Sequence, residues 1–400
     1  MMDRIDPKHF FIFSLVIHVV VYWFVIFFMY LRESGLLNHY YVDFYTVYMK
    51  ATETFLRDPD LLYTEVEFSN VLVYRNLPAC LLYFIPFFLL SSEGNLNLIV
   101  YSSFTLMWNI LICIMIQKIA RLDRWKKLVK NSRFADAWWI MGIYMLSPLH
   151  VGEYALGQTN TIAGFFIILA LYFYLDGKEH YAFSCLSISL YFKISGLFLL
   201  FLLFFSKDVK QFFTNLFYTI LVQGPNIMLF LTCSTMLSHF VTLNFQAGDE
   251  YAMIAYRGWG TGSTGTLAVL LTQVFGISSI VTTIIMLAAL IPVILYTLRR
   301  RRHNMNVFEM WMLLILLFVI SIPAFYLVHV LLYLGTYSFW LVLDDGQLSK
   351  MSKIILGIPT FSIFFWYYFP FIPFLYMFPL FTILKRAWGK RDKARDDHTD

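Results

Sequence analysis

The chain has 400 residues, of which 60% are hydrophobic and only 14% are charged. Soluble domains carry about 25% charged residues, so this composition excludes a soluble globular protein and predicts an integral membrane protein. The formal net charge of +5 does not indicate nucleic-acid binding, because the basic residues flank hydrophobic segments, as membrane topology requires.

The first apolar run, Phe10–Tyr30, begins the series of predicted elements. It is longer than the roughly 7–15 apolar residues of a signal peptide and lacks a small-residue cleavage site, so we interpret it as a retained membrane-spanning helix. Helices are the expected spanning elements throughout, because the apolar runs are long and continuous rather than short and alternating.

Clusters of Lys and Arg orient these helices, because cytoplasmic loops of membrane proteins are enriched in basic residues. The main clusters lie at residues 4–8, 118–133, 178, 207–210, 299–302, 350–353 and 385–395. If all of them are cytoplasmic, the first span ends outside near Leu31, and only one further net crossing precedes Lys118. We therefore assign Leu98–Ile116 to that crossing. The shorter, proline-containing run Leu77–Leu90 is predicted to form a juxtamembrane or re-entrant helix on the outer face.

The rest of the chain completes a predicted all-α polytopic membrane bundle with about 12 transmembrane helices. The remaining spans fall at roughly 136–149, 161–175, 180–193, 195–206, 212–236, 277–298, 308–331, 335–346, 353–369 and 371–384. The predicted organisation is one integral membrane domain over residues 1–385, in which 32–97 form an outer loop with juxtamembrane helices. A charged cytoplasmic tail follows at 386–400. The four cysteines are scattered through apolar stretches and indicate neither a disulfide framework nor a zinc site.

Several polar and ionisable residues collect on the outer side of this topology. They are Asp43, Glu153, Gln158, Asn160, Lys193, Arg257 and His329. Ionisable groups inside a membrane are costly and by default indicate function. Simpler roles stay open for several of them: Asp43 as a solvated loop acid, Lys193 as a snorkelling lysine, His329 as a packing histidine, and Asn160 as a helix cap.

Short patterns surround these residues in a fixed order. They are an acidic residue followed by an amphipathic helix (Asp43 to Phe55), Leu62-Tyr63, Tyr74 ahead of Pro78 and Pro86, Gly157-Gln158-x-Asn160, Lys193, the Gly/Ser/Thr-rich stretch from Gly262 to Thr266, and Pro323-x-Phe325-Tyr326-x-x-His329. With this set the chain resembles the polyprenol-phosphate-sugar-dependent glycosyltransferases of the GT-C superfamily, most closely glycosyltransferase family 87. The single histidine and the sequence from Tyr74 to Pro78 depart from the family pattern. Asp43 is also not part of the Asp-x-Asp pair of related lumenal mannosyltransferases.

The resemblance implies transfer of a sugar from a polyprenyl phosphate to a lipid-linked or glycan acceptor. It favours mannose as that sugar. Asp43 is the candidate base for the acceptor hydroxyl. Lys193, His329 and Arg257 are the candidates for binding the donor phosphate. The other predicted substrate contacts are Tyr45, Tyr63, Tyr74, Arg75, Glu153, Gln158 and Asn160. One base without a second nucleophilic carboxylate predicts direct displacement with inversion. No acidic cluster suggests a metal, so we expect metal independence and no cofactor beyond the donor.

The predicted partners are the lipid bilayer, the polyprenyl-phosphate sugar donor and the glycolipid or glycan acceptor, with no nucleic acid. The site would face the extracytoplasmic or lumenal side of the plasma membrane or the endoplasmic reticulum. The main alternative is a multi-pass secondary transporter or lipid-linked sugar carrier, which many spans and a membrane-buried lysine also fit. The long outer loop and the lack of internal repeats argue against it, and a non-catalytic assembly protein is a third hypothesis.

Overall fold

The computed structural model describes the chain in segments. These are residues 6–33, 43–64, 74, 76–90, 96–129, 136–233, 235–245, 263–265, 279–301, 305–321, 324–326, 330–343, 380–385 and 387–388. The described part is almost entirely helical, as the sequence predicts. Three predicted site residues, Arg75, Arg257 and His329, lie outside the described residues.

The described α-helices are numbered here along the chain. In chain order they are α1 (Pro7–Glu33), α2 (Lys50–Arg57), α3 (Leu81–Leu89), α4 (Leu96–Arg121), α5 (Asp123–Leu128), α6 (Ala137–Leu146), α7 (Leu149–Leu156), α8 (Asn160–Leu175), α9 (Glu179–Phe192), α10 (Val209–Val222), α11 (Gly224–Thr232), α12 (Met236–Phe245), α13 (Ser279–Arg301), α14 (Val307–Ser321) and α15 (Leu331–Val342). Other helical forms are a π-helix (Asp43–Met49) before α2 and 3-10 segments at Pro59–Leu61, Pro78–Cys80 and Ile194–Phe205.

Two described helices, within α1 and α4, are long and apolar enough to cross a membrane, and further apolar helices of 10–17 residues accompany them. Large apolar side chains on the outward face of α1 are exposed, among them Phe13, Trp23 and Phe27. Exposed apolar side chains are stable in contact with lipid tails and costly in water. A polytopic membrane fold fits these helices, whereas the number of about 12 spans stays a prediction.

Small residues allow the inner helices of the bundle to approach closely. A Cβ atom added to Gly164 on α8 would lie 3.0 Å from the carbonyl oxygen of Leu331 on α15. One added to Gly335 on α15 would lie 2.9 Å from Ile168 on α8. Membrane helix interfaces are enriched in small residues for this reason. The contact fixes α8, whose first residues belong to the candidate site.

The predicted span at 212–236 is not one continuous helix, because α10 ends at Val222 and α11 runs from Gly224 to Thr232 before α12 begins at Met236. Pro225 lies in the first turn of α11, where its missing N–H costs nothing and a new helix starts readily. Side chains at the break bond elsewhere: Gln223 Nε2 donates to the Ser187 carbonyl at 2.7 Å, and Asn226 Oδ1 accepts from Ala79 N–H at 2.8 Å. α11 and α12 then meet at an angle of 109°.

Asp60, in the 3-10 segment before α3, bonds residues at the start of α12. Asp60 Oδ1 accepts from Thr235 Oγ1 at 2.8 Å, and its carbonyl oxygen lies 3.1 Å from His239 Nδ1. The helical segment Pro78–Leu89 is shorter than 18 residues, below the length of about 20 that crosses a bilayer. The juxtamembrane or re-entrant position of this segment stays a prediction.

A short antiparallel pair of strands is the exception to the helical fold. β1 (Ser263–Gly265) pairs with β2 (Ala324–Tyr326), with Thr264 opposite Phe325. The two strands come from the Gly/Ser/Thr-rich stretch and the Pro-aromatic-His segment, which are far apart in the sequence.

Near the carboxyl end of the described residues, Trp388 contacts α13. Its Nε1 donates to Thr297 Oγ1 at 3.1 Å.

Candidate active site

The centre of the site is the turn between α7 and α8, which begins at Gly157. Gly157 has a φ of 68°, a left-handed conformation that favours glycine because a Cβ atom would be strained there. Its N–H and that of Gln158 both donate to the Glu153 carbonyl, at 3.0 and 3.3 Å, which closes α7. The turn then starts α8 at Asn160.

Glu153 on α7 holds this turn through hydrogen bonds to the start of α8. Its side chain is buried, and its two carboxylate oxygens accept from Asn160 Nδ2 and from the Thr161 N–H, each at 2.8 Å. A carboxylate at a helix N-terminus is favourable, because it satisfies free N–H groups and the positive end of the helix dipole. Burial raises the pKa of Glu153 above its ordinary value, while the two hydrogen bonds oppose that rise. Glu153 is therefore well placed to hold the turn and poorly exposed to a substrate.

Lys193 lies at the end of α9, where the backbone becomes extended. Its ammonium Nζ donates to Gln158 Oε1 at 2.8 Å, so the predicted cation and the predicted amide of the turn are joined. The Lys193 charge also acts on two carboxylates, Asp43 and Glu153, and lowers the pKa of each against the effect of burial. The structure thus brings together side chains from three separate segments of the chain.

Asp43 is the first residue of the π-helix and is half-buried. Burial raises the pKa of Asp43 from 3.8 to about 6, and the charge of Lys193 opposes part of this rise. No described residue donates a hydrogen bond to its carboxylate, in contrast to Glu153. A carboxylate with a pKa near neutral pH is suited to take a proton from a hydroxyl group.

A pair of hydroxyl groups joins the π-helix to the turn and to α9. Thr159 Oγ1 donates to the Phe192 carbonyl at 3.2 Å, and therefore accepts from the Tyr48 hydroxyl, also at 3.2 Å. Tyr101 on α4 donates to the Gln158 carbonyl at 2.6 Å. Sequence reasoning missed these three residues as parts of the site. For Tyr48 the signal was its position five residues after Asp43, a spacing that a π-helix brings to one side.

The predicted tyrosine contacts are placed differently. Tyr63 and Tyr74 are buried, stack at 5.9 Å, and donate to the carbonyls of Asn76 and Leu77, each at 2.8 Å. These bonds give both tyrosines a role in holding the segment before α3, while substrate contact stays a prediction. Tyr45 is half-buried beside Phe44 on the π-helix.

Within the described segments, no group of three His, Cys, Asp or Glu side chains is arranged to hold a metal ion. Cys80, near the start of α3, is buried and close enough to Lys193 to interact with its charge. Among the described residues, the charged groups of the site are the Asp43 and Glu153 carboxylates and the Lys193 ammonium. Metal independence stays a prediction.

Comparison with known proteins gives one match. The family model for glycosyltransferase family 87 matches residues 76–323, a stretch that contains Glu153, Gln158, Asn160 and Lys193, whereas Asp43 precedes it. Searches of curated proteins and of solved structures return no significant match. Because the matched stretch covers more than half of the 400 residues, the chain belongs to glycosyltransferase family 87, a family of sugar-transferring enzymes.

Proposed function

We propose that this protein is an inverting glycosyltransferase that moves a sugar, mannose by the resemblance, from a polyprenyl phosphate to a lipid-linked or glycan acceptor. The main support for this proposal is the electrostatic interaction between Asp43 and Lys193. A carboxylate that accepts no hydrogen bond from any described residue lies near an ammonium group that the Gln158 side chain holds in place. This arrangement provides a base for the acceptor and a cation for the donor phosphate.

In the proposed reaction Asp43 acts on the acceptor. The acceptor hydroxyl gives its proton to the Asp43 carboxylate while its oxygen forms a bond to the anomeric carbon. The bond between that carbon and the phosphate oxygen breaks, and the electron pair leaves with the polyprenyl phosphate. Glu153 has both oxygens engaged at the start of α8, so the described site offers no second free carboxylate as a nucleophile. Direct displacement inverts the configuration at the anomeric carbon.

Lys193 is proposed to bind the donor phosphate. An ammonium group has three hydrogen-bond donors, and one of them is used by Gln158. The remaining donors can stabilise the negative charge that grows on the leaving phosphate, which is the main electrostatic requirement of this reaction. Arg257 and His329 are proposed to assist, as the sequence predicts.

The lipid tail of the donor is proposed to lie along α3 and α4. Tyr83 on α3 contacts Phe192, which precedes Lys193, with a ring distance of 5.5 Å. Farther along these two helices, Leu89 and Phe104 expose large apolar surface, at 70% and 40% of each residue. An apolar surface beside the cation suits a ligand that has a phosphate head and a long hydrocarbon tail.

The proposed setting is a polytopic bundle of about 12 spans in the plasma membrane or the endoplasmic reticulum, with the site on the extracytoplasmic or lumenal face. The bilayer, the polyprenyl-phosphate sugar and a glycolipid or glycan acceptor are the proposed partners. We propose that the transfer needs no cofactor other than the donor substrate itself.

Purified protein in lipid nanodiscs with radiolabelled polyprenyl-phosphate mannose tests the function. We expect free polyprenyl phosphate and a labelled acceptor, with the opposite anomeric configuration by NMR. Asp43→Asn should form product about 10²–10⁴-fold more slowly. Retained configuration would contradict direct displacement by one base. Movement of the intact donor across proteoliposomes without cleavage would instead support a carrier. Binding without either activity, and indifference to Asp43→Asn in cells, would support an assembly protein.

A further inference from the structure

A second polar cluster lies inside the helix bundle, apart from the Asp43–Lys193 site. It consists of His18 on α1, Asn109 on α4, Tyr144 on α6, and His150 and Tyr154 on α7, all buried. The first two belong to the two helices that are long and apolar enough to cross a membrane. Polar groups at such depth are costly unless they are bonded to one another, so a connected set calls for a function.

One assignment of donors and acceptors satisfies the hydrogen bonds of this cluster. His18 Nδ1 is 3.2 Å from the Met145 carbonyl and must donate to it, which leaves Nε2 as the acceptor of the Tyr154 hydroxyl at 3.0 Å. Asn109 Nδ2 donates to the same hydroxyl at 3.1 Å, and Asn109 Oδ1 accepts from the Tyr144 hydroxyl. His150 Nε2 donates to the Tyr144 carbonyl at 2.9 Å. In this scheme each imidazole carries a single N–H, which donates to a backbone carbonyl.

The cluster holds one side of α7, and the other side of α7 carries the candidate site. Tyr154 points to α1 and α4, while the preceding residue, Glu153, points to the start of α8. We propose that the buried His18–Asn109–Tyr154 network is a positioning device, which fixes α7 and through it the turn whose Gln158 holds Lys193 beside Asp43. The proposal rests on the proposed function for its catalytic meaning, but the geometric linkage is independent of it.

A change in the position of Lys193 is measurable at Asp43. Among the described residues, the titratable groups that act on Asp43 are Lys193 from the end of α9 and Tyr48 from the same π-helix. Lys193 is faced in turn by Glu153 and Cys80. Because the Lys193 charge lowers the pKa of Asp43, movement of Lys193 away from it should raise that pKa above its value of about 6.

The test uses Tyr154→Phe, which removes only the hydroxyl at the centre of the network. The matched control is Tyr22→Phe. Tyr22 is a buried tyrosine on α1 whose hydroxyl bonds Ser103 on α4 at 2.8 Å but does not bond α7. His18→Leu removes the acceptor of the same Tyr154 hydroxyl and serves as a second variant. All are compared as full-length protein in nanodiscs.

The readout is the pH midpoint of Asp43 labelling by a hydrophobic carbodiimide, which reacts with the protonated carboxyl and is followed by mass spectrometry. We expect the midpoint to rise by about 0.5 pH unit in Tyr154→Phe and His18→Leu. A shift of this size is expected when a unit charge a few ångströms away withdraws by about 2 Å at an effective dielectric of about 20. Tyr22→Phe should keep the wild-type midpoint.

Combination with Gln158→Leu identifies the route of the effect. If the network acts through the turn, Tyr154→Phe should add little to the shift that Gln158→Leu already causes. Equal midpoints in wild type, Tyr154→Phe and Tyr22→Phe, or full additivity with Gln158→Leu, would overturn the positioning role. Labelling needs no turnover, so a failure of the proposed transferase activity would be seen separately, as absence of product in the wild-type protein.

Discussion

Replacement of Asp43 by asparagine is the sharpest perturbation of the site. The amide would keep the size of the side chain and would remove its charge and its basicity. In the structure no described residue donates to the carboxylate, so the substitution breaks no hydrogen bond with the described part of the protein. General-base catalysis contributes about 10²–10⁴-fold to a rate, and we expect transfer to fall by that factor while donor binding stays close to wild type.

The pH dependence follows from the position of Asp43. With a pKa of about 6, about 90% of the carboxylate is charged at pH 7 and about 10% at pH 5. The kcat/KM of the wild-type protein should therefore fall about ninefold to tenfold between these two values. A solvated aspartate with its ordinary pKa would lose less than about a tenth of its charged form over the same range. The Asp43→Asn variant should show a low and flat profile.

Stability should change in the opposite sense from activity. A raised carboxyl pKa means that the folded state disfavours the charged form, so the cost of the charge is absent below about pH 4 and complete above about pH 6. A rise of about two pKa units corresponds to about 3 kcal/mol. Asp43→Asn removes this cost, and we expect an apparent melting temperature in detergent that is higher than wild type at pH 7.5 and similar at pH 4.

The matched control is Glu53→Gln, an exposed acid on α2 that pairs with Lys50 at 3.2 Å. This variant should retain wild-type transfer and the same fall of kcat/KM at acidic pH, which we call the acid limb. Its melting temperature should be unchanged, because exposed pairs contribute about 0–1 kcal/mol. If Asp43→Asn retained more than about half of the activity, or kept the acid limb, Asp43 would not be the base.

Three further predictions concern the rest of the site and the topology. Lys193→Ala should raise the KM for the donor about 10-fold to 100-fold, since a charge-assisted bond is worth about 1.5–3 kcal/mol. It should also move the acid limb to higher pH, because the Lys193 charge lowers the pKa of Asp43. Unchanged donor kinetics would mean that the phosphate binds elsewhere. Glu153→Gln should lower thermal stability by about 1–3 kcal/mol through a mismatched donor at the start of α8 yet keep an acid limb, because Asp43 remains. Single cysteines at 43–64 should react with impermeant maleimide from outside and those at 121–128 only from the cytoplasm; the reverse pattern would invert the topology.

Parts of this fold follow directly from the sequence. Long apolar runs predict α1 and α4, and the short run around Pro86 predicts a juxtamembrane element, because helix length against bilayer thickness is a local property. The sequence does not predict the break within 212–236, because membrane helices tolerate Gly and Pro when neighbouring groups satisfy the backbone. Here side chains of Gln223 and Asn226 bond neighbouring elements and stabilise that break.

The site shows the same division. Residue types and order identify Asp43, Gln158 and Lys193 as candidates. Their proximity depends on the left-handed turn at Gly157 and on the Tyr48–Thr159 bond, neither of which has a periodic signature. Long-range contacts of this kind arise from tertiary packing, so a single sequence gives the participants and not their distances.

Glu153 and Asp43 face the same lysine, and their surroundings give them different tasks. Glu153 has two donors and a helix N-terminus to stabilise its charge, which makes it a fixed part of the scaffold. Asp43 is half-buried with a raised pKa and no such donors among the described residues, so it is a stronger base than an ordinary aspartate. The family match includes the Lys193 side and begins after Asp43. The matched stretch thus holds Glu153, Gln158 and Lys193, and the Tyr48–Thr159 bond joins to it the π-helix that carries Asp43.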